Sequence, residues 1–79
     1  MQPVQIIIGM NLKIARTKRS ITQAEVASKI GIEPSYLSRL ERGTVSISCE
    51  RVYEIIHILN CDIDEIFPLP TEVETKFHR

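Results

Sequence analysis

Residues 22–42 read TQAEVASKIGIEPSYLSRLER. Thr22 has the chemistry of a helix N-cap: its hydroxyl can accept a hydrogen bond from an orphan amide of the first turn, and Glu25, three residues on, completes a capping box. Val26, Ala27 and Ile30 then share one helical face. Gly31 follows where a helix C-terminus favours a left-handed residue, so the spacing predicts a short helix ending there. Ile32 is an apolar anchor. Glu33 before Pro34 gives a second start, an acid at the N-terminus with proline at or near the first helical position, where its missing donor costs nothing. This second helix turns Leu37 and Leu40 inward and leaves Ser35, Tyr36, Ser38, Arg39 and Arg42 on its outer side.

The flanks supply a scaffold. Residues 1–5 read as a flexible lead-in, with Pro3 marking the earliest helix start. From Ile6 to about Lys18 the pattern is helical, Ile8, Leu12 and Ala15 facing inward and Lys13, Arg16 and Arg19 mostly outward. A second stripe, Ile7, Met10 and Ile14, lies beside the first and is expected to add core beneath the N-terminal arm, the other use being a partner contact. Ser20 breaks this helix, and Ile21 precedes the Thr22 cap as a staple residue. Beyond Leu40, Gly43 ends the second helix of the pair, and Thr44 to Ser48 form a short loop. Ser48 caps a further helix with Val52, Ile55, Ile56 and Leu59 inward and Glu50 supporting its N-terminal dipole, while Tyr53 and Ile58 widen the apolar surface. Asn60 tolerates the positive φ of a helix end. Asp62 caps a last short helix, Ile63 to Phe67, stopped by Pro68. Residues 68–79 hold two prolines, mixed charges and no period, and are expected to be a C-terminal tail. The result is an all-α chain: five helices around one core, a lead-in at 1–5, a domain at 6–67 and a tail at 68–79.

Composition bounds the function. Seventy-nine residues make one domain, near the lower limit at which an apolar core suffices without staples. No apolar run approaches the roughly 18 to 20 residues of a membrane span, and the opening MQPVQIIIGM lacks the basic region of a secretory signal, so a cytoplasmic protein with no membrane partner is expected. Cys49 and Cys61 lie in apolar-periodic surroundings and are expected to be reduced, buried thiols. With His57 and His78 as the histidines and no CxxC or HxxxH spacing, neither a metal site nor a cofactor is expected. A glycine-rich phosphate loop and a plausible triad are both lacking, which argues against an enzyme. The formal net charge is zero, yet residues 1–45 carry seven basic side chains against three acidic ones, and residues 46–79 carry three against seven. Such segregation hints at a phosphate-facing side, the alternative being solvated charges that happen to lie apart.

Helix, glycine-bearing turn, helix is the layout of the helix-turn-helix, whose second member lies in the DNA major groove. Ala27 is small where crossing helices come close, and Val26, Ile32, Leu37 and Leu40 are apolar where the crossing must be fixed. Arg16, Thr22-Gln23-Ala24-Glu25, Val26-Ala27, Gly31-Ile32, the run Tyr36 to Gly43 and the run Asp62 to Phe67 carry a further likeness. From about Gly9 to Phe67 the chain resembles the Cro/C1-type helix-turn-helix (XRE-like) transcriptional regulators. The resemblance implies a five-helix lambda-repressor-like DNA-binding domain. It also implies a sequence-specific regulator, a repressor or autoregulator that binds a pseudo-palindromic operator as a homodimer. A protein-interaction module, such as the antitoxin of a toxin pair, is the alternative use of the same fold.

Residue roles follow from that placement. Base-edge candidates are Ser35, Tyr36, Ser38 and Arg39; Arg39 leads, because a guanidinium can donate two parallel hydrogen bonds to guanine O6 and N7. Its other uses are pairing with Glu41 or with a phosphate, and Tyr36 can instead pack half-buried. Pro34 departs from relatives that place a hydrogen-bonding residue there and offers apolar contact only. The resemblance assigns phosphate contacts to Gln23, at a helix N-terminus, and to Arg42, Thr44 and Ser46 around Gly43, with Lys13 and Ser28 as weaker candidates. In similar repressors an arginine of the first helix pairs with the glutamate ending the recognition helix, here Arg16 and Glu41. Ile58, Ile63, Ile66 and Leu69 are the candidate dimer surface, unless they close the core.

Overall fold

The computed structural model describes the backbone of residues 3–77 and the side chains of residues 4–73. Residues 1, 2, 78 and 79, at the ends of the expected lead-in and tail, lie outside the described residues. Six helices follow one another among the described residues: α1 Pro3–Lys18, α2 Gln23–Ile30, α3 Pro34–Arg42, α4 Cys49–Leu59, α5 Ile63–Ile66 and α6 Pro70–Phe77.

Helix ends form where the local chemistry dictates. At the start of α2 the Thr22 hydroxyl accepts from the Glu25 amide at 3.1 Å, and Glu25 Oε1 accepts from the Thr22 amide at 2.9 Å. Gly31, with φ 73°, closes the helix. Pro34 occupies the first turn of α3, and Gly43, again at φ 73°, ends it. Ser48 accepts from the Arg51 amide to open α4, and Asn60, at φ 54°, terminates it. Ser20 takes the same left-handed conformation, φ 56°, after α1; the Ile21 amide then donates back to the Arg16 carbonyl.

The core is one cluster: Ile8, Leu12 and Ala15 of α1, Val26 and Ala27 of α2, Leu37 and Leu40 of α3, Val52, Ile55, Ile56 and Leu59 of α4, and Ile66 of α5. Each aliphatic side chain taken from water into it contributes about 1.5–3 kcal/mol before the entropy of ordering is subtracted. α1 runs through the middle of the molecule, against α3, α4, α5 and α6, while α2 bridges α3 and α4. At Gly9 the backbones of α1 and α3 meet: an added Cβ would lie 2.4 Å from the Leu40 carbonyl oxygen and 2.8 Å from that of Glu41. α1 therefore sets the pose of α3 directly, with no side chain between them.

The fold departs from the sequence expectations at several points, the first being Arg16: read as mostly outward on α1, it is 8 % exposed and turned in to pair with Glu41. α1 starts at Pro3 rather than Ile6; Val4 packs against the core and Gln5 Nε2 donates to the Gly43 carbonyl at 2.9 Å, so the first turn has tertiary partners. The segment expected as a tail contains α6, whose first turn is closed by Glu72 Oε1 accepting from the Leu69 amide at 2.7 Å. Met10 and Ile14 are 51 % exposed rather than core, because α1 spends its buried surface on the Ile8, Leu12 and Ala15 face; Ile7 is half-buried. Cys49 is an exposed free thiol in the first turn of α4, and Cys61, also free, is half-buried.

Candidate nucleic-acid interface

α3 is a two-sided rod. Leu37 and Leu40 are each 1 % exposed and Glu41 5 %, which fixes the inner side. Ser35, Arg39 and Arg42 are exposed, with Tyr36 and Ser38 half-buried at the margins. Arg42 Nη1 donates to Ser38 Oγ at 2.9 Å, and the Arg39 guanidinium carbon sits 5.7 Å from the centroid of the Tyr36 ring. Arg39 does not pair with Glu41, whose carboxylate is buried and held elsewhere. All four base-edge candidates thus lie on one helix, Ser35 and Arg39 the most open.

Beneath the rod lies a buried polar knot. Arg16 Nε donates to Glu41 Oε2 at 2.6 Å, Arg16 Nη2 donates to Glu41 Oε1 at 3.1 Å, and Arg16 Nη1 donates to the Ile21 carbonyl at 2.8 Å. Gln23 Nε2 adds a third donor to the Glu41 carboxylate, reaching Oε1 at 2.9 Å. Every buried polar side-chain atom among the described residues has a partner. The Gln23 side chain is therefore half-buried and tied to the end of α3. A lone role as a free backbone clamp does not fit this placement; with the Glu25 amide taken by Thr22, what the α2 N-terminus keeps for an anion is the amides of Gln23 and Ala24, which have no intrahelical acceptor.

The loop after α3 alternates. Thr44 and Ser46 are exposed while Val45 and Ile47 pack against the core, so the loop presents hydroxyls beside the Gly43 turn. Thr44 Oγ1 donates to the Arg39 carbonyl at 3.2 Å, which anchors one of them. Lys13 and Ser28 are both exposed, on α1 and α2.

The charge split by sequence half overstates the basic side. Arg19 Nη2 lies 3.1 Å and Lys18 Nζ 3.5 Å from Glu65, so both cations are tied to the acidic half. The hydrogen bond from Arg19 and that from the Asp62 amide hold the Glu65 carboxyl below the usual carboxylate range, and Glu65 in turn raises Arg19. Arg16 is neutralised by Glu41. Lys13, Lys29, Arg39 and Arg42 are left as outward cations.

Of the candidate dimer residues, Ile63 is 47 % and Leu69 64 % exposed, and Ile58 is half-buried against the core. Ile66 is a correction: at 0 % exposure it belongs to the core, because the short α5 lays it against α1, where Asn11 Nδ2 donates to its carbonyl at 2.9 Å. Exposed Tyr53, with Phe67 5.9 Å away ring to ring, extends the apolar end of the molecule. Among the described residues no group of three or more His, Cys, Asp or Glu is placed to hold a metal ion. No helix among them is long and apolar enough to cross a membrane. Sequence inspection missed Gln5, Asn11 and the Gln23–Glu41 bond. A lone glycine inside the α1 pattern, Gly9, was the available signal that α1 and α3 touch.

Fold and site define a small all-α domain that presents a helix-turn-helix, with α2 supporting an outward α3. The family model described as "Helix-turn-helix" matches residues 12–66. The chain belongs to this helix-turn-helix family, in its Cro/C1 form. It is 34 % identical over 71 residues to the uncharacterized HTH-type transcriptional regulator y4dJ of Sinorhizobium fredii, covering 90 % of each chain. It is also 38 % identical over 60 residues to the antitoxin PezA of Streptococcus pneumoniae, a match covering 76 % of this chain and 38 % of that protein. An HTH-type regulator of Sinorhizobium medicae is 26 % identical over 82 % of this chain and 47 % of its own. The chain thus spans less than half the length of these last two relatives. Among solved structures, the clp gene regulator ClgR from C. glutamicum superposes with a TM-score of 0.76 at 28 % identity, over 84 % of this chain and 86 % of that one.

Proposed function

We propose that this chain is a sequence-specific DNA-binding transcriptional regulator that works in the cytoplasm as a homodimer, a repressor or autoregulator acting at a pseudo-palindromic operator. One observation carries this: α3 is clamped from below by Leu37, Leu40 and the Arg16–Glu41 pair while Ser35, Tyr36, Ser38 and Arg39 lie on its open or marginal side. A rigid helix with a polar outer flank fits the major groove, about 12 Å wide. Arg39 reads guanine, Ser35, Tyr36 and Ser38 meet neighbouring base edges, and Arg42, Thr44, Ser46, Lys13, Ser28 and the α2 N-terminus at Gln23 contact phosphates. Ile58, Ile63 and Leu69, with Ile66 now excluded, supply the two-fold contact. One unit covers too few base pairs for useful affinity, so paired half-sites about 34 Å apart are the geometric solution.

The test is selection of bound duplexes from random DNA, followed by titration at several salt concentrations. An enriched inverted repeat, and an affinity that falls steeply with salt but stays above that for unrelated DNA, supports the proposal. A sequence-independent response ends it.

A second reading as the antitoxin of a toxin pair is favoured by the PezA likeness and by the open Met10 and Ile14 surface on α1. Copurification with a neighbouring gene product, released by Met10→Lys, would select it.

A further inference from the structure

Arg39 and Tyr36 are three residues apart on α3, and the guanidinium carbon lies 5.7 Å from the ring centroid, over its face. Their surroundings differ. Tyr36 is half-buried and packed against the core, whereas Arg39 is exposed and has no carboxylate partner among the described residues. Glu41, the acid nearest in sequence, is buried and saturated by Arg16 and Gln23.

An aromatic face attracts a cation through its quadrupole, and it does so without using any hydrogen-bond donor. A guanidinium carries its donors around its edge, in the plane, so a ring beneath one face leaves the fork free for guanine O6 and N7. A long arginine side chain must otherwise lose its freedom when it docks, which weakens every contact it makes. A ring anchored in the core restricts that freedom before DNA arrives.

We propose that Tyr36 is a positioning residue for Arg39: its core-anchored ring holds the guanidinium pre-set for a guanine, so the base discrimination of Arg39 depends on an aromatic side chain at position 36. This rests on the DNA-binding reading. Tyr36 acts here through Arg39, with no base contact of its own required.

The experiment uses the full chain and the duplex that wild-type protein selects from random DNA. The guanine read by Arg39 is the one whose replacement by 7-deazaguanine costs wild-type affinity but not that of Arg39→Ala. The readout is the ratio of affinities for the two duplexes. Tyr36→Phe keeps the ratio. Tyr36→Leu lowers it about two- to fivefold, the size of an exposed cation–aromatic contact, while affinity for unrelated DNA is unchanged. In the Arg39→Ala background the same change leaves the ratio unaltered. Tyr36→Leu with a wild-type ratio overturns the proposal. Relaxation of the Arg39 Nε nitrogen in the free chain gives a measure independent of DNA: the side chain is more ordered with tyrosine or phenylalanine at position 36 than with leucine, and equal order overturns the proposal. If leucine unfolds the chain, ring-fluorinated phenylalanine, which keeps the shape of the phenylalanine ring and weakens its face, replaces it in both measurements with the same expectations. A wild-type chain that selects no sequence overturns the DNA-binding reading and this one with it.

Discussion

The guanidinium of Arg16 grips the carboxylate of Glu41 side on, Nε to Oε2 at 2.6 Å and Nη2 to Oε1 at 3.1 Å, with both side chains nearly out of solvent. It joins the last turn of α1 to the last turn of α3, so the helix that carries Arg39 is pinned at its far end.

Removing one member strands the other charge in the interior. Arg16→Ala or Glu41→Ala is expected to cost about 3–5 kcal/mol in urea unfolding, whereas a paired apolar replacement such as Arg16→Met with Glu41→Leu costs much less. A chain of this size has roughly 4–12 kcal/mol to lose, so either single change leaves it close to unfolding at 37 °C. The double variant is the informative one: it restores stability but leaves the Gln23 amide without its acceptor.

Two glycines make opposite predictions. At Gly9 a Cβ would run into the Leu40 and Glu41 carbonyls, backbone atoms that cannot yield without moving α3. Gly9→Ala is expected to destabilise by about 1–3 kcal/mol or more, as overpacking does, and to shift the α3 resonances in an NMR spectrum. At Gly31 the space is open and the cost is the positive φ alone, about 1–2 kcal/mol, with α3 undisturbed.

Acid sensitivity should trace to two carboxylates, the half-buried Glu65 and the exposed Glu25. Glu65, held low chiefly by the Arg19 side chain, and Glu25, held low chiefly by the Thr22 amide, both have folded pKa values below their unfolded ones. Their stabilisation is present above the ordinary glutamate range and is lost as pH falls through the folded values. Glu65→Gln and Glu25→Gln should therefore lower the melting temperature near neutrality, with the gap from wild type closing in acid. A gap that stays constant with pH contradicts this.

The thiols differ in access. Cys49 is exposed, while Cys61 is half-buried and its thiol is pushed up, first by burial. Iodoacetamide at mildly alkaline pH should label Cys49 well before Cys61 in the folded chain and both together in denaturant, as read by mass spectrometry.

What was legible in the sequence was what short-range chemistry decides. Thr22 with Glu25, Gly31, Pro34, Gly43 and Ser48 each act within one turn, so the helix-turn-helix and its caps were readable. The inward faces of α1 and α4 follow from helical period, and Ile8, Leu12, Ala15, Val52, Ile55, Ile56 and Leu59 are all buried. Period says which residues share a face, not whether anything covers it, which is why the Met10 and Ile14 stripe was assigned to the core and is open. α5 has four residues, too few for a period to separate Ile66 in the core from Ile63 outside. Arg19 and Glu65 are 46 positions apart, so charge counted by sequence half could not show that they cancel. The phosphate role of Gln23 came from resemblance, and its bond to Glu41 depends on how α2 crosses α3, which no local signal encodes.

DNA recognition through α3 stands or falls on Arg39. The most direct measurement is a titration of the selected duplex, and of the same duplex with each half-site guanine in turn changed to adenine, by wild-type and Arg39→Ala protein at one salt concentration. The wild type should prefer guanine by about 5- to 150-fold, the worth of a two-donor arginine–guanine contact, and the variant should lose that preference while still melting like the wild type. An Arg39→Ala protein that keeps full affinity and full preference would show that the outer flank of α3 does not read DNA.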